Sequence, residues 1–223
     1  MGLRVGVDAY RKGWVAVLLD HGSFAGALVA AHFKELMRHL GDADVIAVDI
    51  PIGAGPTHPR PADVAAQKFV GQRRSSVFLT PPRPVLEAAD YPAARQLARE
   101  QFGVGVTAQA YSLATRILEV DEVARIDPRI IEAHPEVSFR AMSGDELQFP
   151  KTSWNGLKHR EELLAHHGIQ LPDNLGEAGV AKPDDVVDAA AAAWTAHRYA
   201  TGNAGRLPEV APRTAEQDAA IWY

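Results

Sequence analysis

Acidic side chains fall at three places in this sequence where the apolar surroundings make them costly. Asp8 follows Val5-Gly6-Val7, and Asp49 follows Ile46-Ala47-Val48. Both runs read as buried strands. Alternation puts Gly6 with Asp8 on one face, and Val45 and Ala47 with Asp49 on one face. A carboxylate there is hard to desolvate unless a cation or several donors meet it. A third group, Asp184, Asp185 and Asp188, opens an Ala-rich stretch. Asp184 and Asp185 suit the first turn of a helix, where the dipole favours negative charge. Asp188 lies a turn deeper and shares a face with Asp185. It precedes the run Ala189 to Ala193, side chains small enough for a helix to lie close on a sheet. Each acid alone fits a capping role. Two strand-end acids with a third on a late helix point instead to a shared site. Ligands collect outside the carboxyl ends of parallel strands, where Asp8 and Asp49 converge if their strands are neighbours. Donor sets made only of oxygen suit Mg²⁺ or Mn²⁺.

Two further clusters carry polar chemistry. Glu132-Ala133-His134-Pro135-Glu136 is the densest. Glu132 and His134 project to one side of a short strand, and His134 has the chemistry of a ligand, a proton shuttle or a phosphate contact. The basic side chains Arg60, Lys68, Arg73, Arg74 and Arg83 are interrupted by one acid, Asp63, inside a chain of formal charge −5. Gly71-Gln72-Arg73-Arg74-Ser75-Ser76 combines guanidinium groups, hydroxyls and a flexible backbone, which suits phosphate. Cysteine is absent, which excludes thiol catalysis and thiolate metal sites. There is no Walker-A lysine loop, no His-Glu-x-x-His motif and no Gly-x-Ser-x-Gly elbow.

The elements that must position these residues follow from periodicity and breakers. Apolar runs at 3–8, 14–19, 24–30 and 45–50 predict four strands, with a helix at 33–40 before the fourth. Prolines punctuate 51–84, around a short helix at 61–70. Longer helices are expected at 84–102 and 106–124, a fifth strand at 130–134 stopped by Pro135, and helices at 157–167 and from Pro183 to about 202. The expectation is one α/β domain over 1–202: a five-stranded mixed sheet flanked by helices, with a helical insertion at about 56–125 and a polar tail at 203–223. With 223 residues and 47% hydrophobic content, a core needs no disulfide. No run approaches a membrane span and no leader pattern opens the chain, so a cytoplasmic location without membrane contact is expected.

In this order of elements the chain resembles the ribonuclease H-like fold. More closely, it resembles the family known as domain of unknown function 429, described as predicted RNase H-like nucleases. The resemblance rests on Gly6-Val7-Asp8-Ala9 with Gly13-Trp14, Asp49-Ile50-Pro51-Ile52-Gly53, Arg74-Ser75-Ser76-Val77-Phe78, Glu119-Val120-Asp121, Glu132 through Phe139, and Asp184-Asp185 through Asp188 with Ala192-Ala193-Trp194. It implies a metal-dependent nuclease with Asp8, Asp49 and Asp185 or Asp188 as metal carboxylates and Glu132 as a possible fourth. The expected chemistry is phosphodiester hydrolysis in RNA or DNA with two Mg²⁺ or Mn²⁺ ions bridged by Asp8. Arg73, Arg74, Ser75, Ser76 and His134 would hold the substrate. Two alternatives remain at this point: an ATP-binding sugar-kinase or actin-like protein of the same superfamily, and a non-catalytic binding or scaffold protein. The first wants a Gly- and Ser/Thr-containing phosphate loop, whereas Ala9, Tyr10, Arg11 and Lys12 follow Asp8.

Overall fold

The computed structural model describes residues 2–56, 58–210 and 219–223. Val-rich alternation in the first fifty residues becomes three antiparallel strands, β1 (Leu3–Tyr10), β2 (Gly13–Asp20) and β3 (Ser23–Ala30). Helix α1 (Phe33–His39) then leads into β4 (Ala43–Val48), which pairs parallel with β1. A mainly helical stretch precedes β5 (Ile130–Ala133), which pairs parallel with β4. It contains α2 (Pro61–Phe69), a 3-10 turn at Gly71–Ser76, α3 (Arg83–Leu86), α4 (Tyr91–Phe102), α5 (Ala108–Ser112) and α6 (Ala114–Ala124). After β5 come α7 (Pro135–Ser143), α8 (Trp154–His166) and α9 (Pro183–Ala200). Among the described residues, no helix is long and apolar enough to cross a membrane.

Where the structure departs from expectation, the reasons are local. Among the described residues the sheet has seven strands, not five, in the order β3-β2-β1-β4-β5-β7-β6, with β6 (Arg206–Leu207) and β7 (Ile221–Trp222) drawn from the expected tail. Two-residue strands are too short to leave a periodic signal. The stretch 211–218 between them, also part of that tail, lies outside the described residues. Pro135 does not merely stop a strand; it occupies the first turn of α7, where a missing N–H is harmless. The helix expected at 84–102 is divided because Asp90 caps α4, accepting a hydrogen bond from Ala93 N at 2.8 Å. Thr107 caps α5 in the same way, through Ala110 N at 3.1 Å.

The central strands β1, β4 and β5 are buried on both faces. Val5 and Val7 of β1 and Ile46 and Val48 of β4 pack with α1 and α6, through Phe33, Leu36, Ile117 and Val120. Val45 and Ala47 of β4 and Ile131 and Ala133 of β5 pack on Ala192 and Ala196 of α9. The closest approach is at Gly6. A Cβ there would lie 2.0 Å from both the Ala189 carbonyl oxygen and the Ala193 amide nitrogen. Helix α9 therefore lies with its backbone almost on β1, and only glycine fits beneath it.

The stretch between β4 and β5 is fastened to the sheet by a buried guanidinium. Arg60, just before α2, donates to Glu132 of β5 at 2.7 and 3.0 Å, to Asp63 of α2 at 2.5 and 3.1 Å, and to the Ile52 carbonyl at 2.8 Å. The Ile52 amide donates to Glu132 at 2.7 Å, and the Thr80 amide to Asp63 at 2.7 Å. The network brings residues far apart in sequence to one wall of the sheet's carboxyl edge.

The Gly6 contact makes a first prediction. Gly6→Ala forces α9 away from β1, and overpacking of this kind costs about 1–3 kcal/mol. In a chain of this size each kcal/mol lowers the melting temperature by roughly 2–4 °C. An unchanged thermal melt would show that α9 does not rest on Gly6.

Candidate metal centre

The closeness of α9 to β1 decides what happens at the sheet's carboxyl edge. Asp8 faces α9 from β1. Asp49, one residue past β4, stays in the ladder because its amide donates a hydrogen bond to the Val7 carbonyl at 2.8 Å. Asp188 points at both from the second turn of α9. One carboxylate oxygen from each lies within 4.8 Å of the others. Asp188 is 1% exposed and Asp8 6%. Asp8 accepts the Ala9 amide at 2.6 Å. Asp188 accepts the Lys151 ammonium on Oδ2, while its buried Oδ1 has no partner.

Burial and mutual repulsion set the charge states. Desolvation pushes the Asp8 carboxyl well above the usual carboxylate range, with Asp49 and Asp188 adding to the shift. Burial likewise pushes Asp49 up to about 6 and Asp188 up to about 7, although Lys151 pulls both down. Other buried acids are treated differently. Asp63 and Glu132 meet Arg60, Glu136 meets Arg160 at 2.6 Å, and Asp121 meets Arg83 and, at 2.9 Å, Arg125. Among the described residues, Asp8 and Asp49 form no ion pair, and Asp188 pairs only with Lys151. Three clustered carboxylates, an unpartnered buried oxygen and no soft donor fit a hard divalent cation.

The site opens into a cleft of about 360 Å³. Of the residues expected from sequence, Glu132, His134, Arg73 and Ser76 line it along with the three aspartates. Glu132 has both oxygens engaged by Arg60 and the Ile52 amide, so the structure places it as a strut rather than among the clustered carboxylates. His134 sits at the N-cap position of α7; burial lowers its pKa, and its Nδ1 has no partner. Arg73 faces the cleft and its carbonyl accepts the Ser76 hydroxyl at 2.7 Å, while Arg74 and Ser75 are exposed and outside the lining. Asp185 is half-buried in the first turn of α9, outside the cluster of three; burial raises its pKa, and Asp184 adds to this. Arg83, in the expected basic segment, is spent on Glu87 and Asp121.

Sequence reasoning missed Lys151, Arg116 and Gln109, which also line the cleft. Arg116 stacks over Trp14 and donates to the Tyr10 carbonyl at 2.5 Å. Lys151 sits in an irregular stretch with no periodic pattern. Only Pro150 before it, which restricts the backbone, was a signal.

A family model described as "Protein of unknown function (DUF429)" matches residues 6–213. The chain belongs to this family. The matched region of the DUF429 chain contains every residue of the carboxylate cluster, Lys151 and the Arg60 network. Comparison with the curated proteins and with the solved structures gives no match.

The raised carboxyls dictate a pH dependence. Between the unfolded pKa near 4 and the folded value of about 6 for Asp49, the folded state holds more protons than the unfolded one. Stability therefore falls as pH rises through that window. Asp49→Asn removes this loss. In metal-free buffer, the variant should melt with the wild type at about pH 4 and several degrees above it at about pH 8. A variant that melts lower at about pH 8 would make Asp49 a structural cap.

Proposed function

We propose that this DUF429 protein is a metal-dependent nuclease, hydrolysing phosphodiester bonds of RNA or DNA on a ribonuclease H-like fold. The observation that carries the reading is the cluster of Asp8, Asp49 and Asp188, with one buried oxygen left unpartnered, at the floor of a cleft. The fold assignment is supported by the antiparallel β1-β2-β3 unit followed by parallel β4 and β5. It is also supported by carboxylates at the end of β1, just after β4 and in a late helix. The stretch after Asp8 runs through Ala9 and Tyr10 into a tight Arg11-Lys12 turn, with no loop to cradle a triphosphate. That disfavours the sugar-kinase or actin-like alternative.

Asp8, Asp49 and Asp188 would hold Mg²⁺ or Mn²⁺, which supplies a water of lowered pKa and neutralises phosphate charge. The chain's own side chains do the rest. The aspartates must be ionised to bind the ion, so binding releases protons and strengthens as pH rises past the raised pKa values of Asp49, about 6, and Asp188, about 7. Arg73 offers guanidinium donors to a backbone phosphate, and its position is held by the 3-10 turn. Arg160 balances the charge of Glu136, on the same wall, through one carboxylate oxygen.

Two measurements test this. In titration calorimetry the wild type should bind Mg²⁺ or Mn²⁺, and Asp8→Asn should lose that heat. Cleavage of labelled single-stranded and duplex RNA and DNA should fall about 100-fold or more in the variant. Equal metal binding by both proteins would sink the site. For the substrate groove, Arg73→Ala should weaken nucleic-acid binding and lower its salt slope by about one unit. Arg74→Ala should leave both unchanged, since Arg74 is outside the cleft. Identical effects from the two variants would place the groove elsewhere.

A further inference from the structure

Lys151 stands where a cation would. Its ammonium donates to Asp188 Oδ2, and it lines the cleft together with Asp8 and Asp49. The side chain is 37% exposed, yet the loop that carries it is braced. Arg160, 1% exposed, donates to the Phe149 carbonyl at 3.2 Å while holding Glu136 at 2.6 Å. The Ser153 hydroxyl donates to the Pro150 carbonyl at 2.8 Å. A Cβ on Gly156 would lie 1.9 Å from that same carbonyl, so the loop is seated directly on the backbone of α8. Lys151 is thus delivered to the carboxylates by a fixed support rather than by a free surface side chain.

The charge balance gives this placement a consequence. Asp8, Asp49 and Asp188 carry three negative charges when ionised. One ammonium and one divalent ion balance them. Two divalent ions beside the same ammonium would leave two surplus positive charges in a desolvated site, where such an excess is unfavourable. Glu136 adds no net charge to offset the excess, because Arg160 balances it through Oε1, although its buried Oε2 has no partner.

We infer that the carboxylate centre takes a single divalent ion and that the Lys151 ammonium holds the position a second ion would otherwise occupy. This deepens the metal-dependent reading above and rests on it. It departs from the two-ion arrangement that the family resemblance implies. Asp188 Oδ1, the unpartnered oxygen, would be offered to the ion, while Lys151 holds Oδ2.

Counting bound Mn²⁺ on the metal-free 223-residue chain tests the inference. Titration calorimetry should give one ion per chain for the wild type and for Lys151→Arg, which keeps the charge. Lys151→Met should bind two, and its electron paramagnetic resonance spectrum should show the spin coupling of paired Mn²⁺. Two ions in the wild type, or one in a folded Lys151→Met, overturns the role given to the lysine. If Lys151→Met does not fold, the wild-type count decides alone. A wild type that binds no Mn²⁺ removes the metal-dependent reading itself, and the lysine's part with it.

Discussion

Everything at the site depends on how near one helix backbone comes to one strand. The carbonyl of Ala189 and the amide of Ala193 occupy the space that any side chain at position 6 would need. Larger residues along α9 would lift it off the sheet, and Asp188 would rise with it. The alanine run is therefore a spacing device. It sets the depth at which a carboxylate from the late helix meets those from β1 and the end of β4.

That nearness creates an electrostatic problem that the rest of the molecule avoids. Elsewhere among the described residues an arginine pairs with each buried acid: Arg60 with Asp63 and Glu132, Arg160 with Glu136, Arg83 and Arg125 with Asp121. The guanidinium forks suit permanent pairing. At the clustered aspartates the only ion-pair partner among the described residues is a lysine on a single point of contact. Its ammonium is compact and leaves oxygens free. The contrast between arginine-balanced acids and one under-balanced cluster separates acids that hold the fold from acids that could hold a cation. Glu132 shows the value of this distinction: it lines the same cleft, yet its donors leave it no free oxygen.

Much of this was legible in the sequence because it is written in local patterns. Asp8 and Asp49 are conspicuous as charges ending apolar strands, and the alanines around Asp188 announce a close-packed helix. Periodicity located β1 to β5 and α9 to within a few residues. Other features depend on long-range geometry that no window of sequence contains. Arg60 and Glu132 meet across the whole stretch between β4 and β5. Arg73 and Arg74 are neighbours in sequence, but the 3-10 turn points only one of them into the cleft. Asp185 and Asp188 share a helical face by count, yet one lies a turn too early to reach the strands. Strands β6 and β7 are defined by their pairing partners rather than by their composition. Lys151 lies in a loop, and its meaning comes from Arg160 and Gly156 beneath it.

The topology also orders events in time. The β1-β2-β3 unit closes through short turns and is expected to form early, since nearby contacts demand little loop closure. Pairing of β5 with β4 must wait for the helical stretch between them to be gathered in, and α9 docks from later still in the sequence. The three carboxylates are therefore expected to meet only late in folding. Their repulsion weighs on the finished protein and hardly at all on the barrier that leads to it. In the metal-free chain it should show as faster unfolding rather than slower folding. A bound cation would then act as a kinetic latch, lengthening the lifetime of the native state without hastening its arrival.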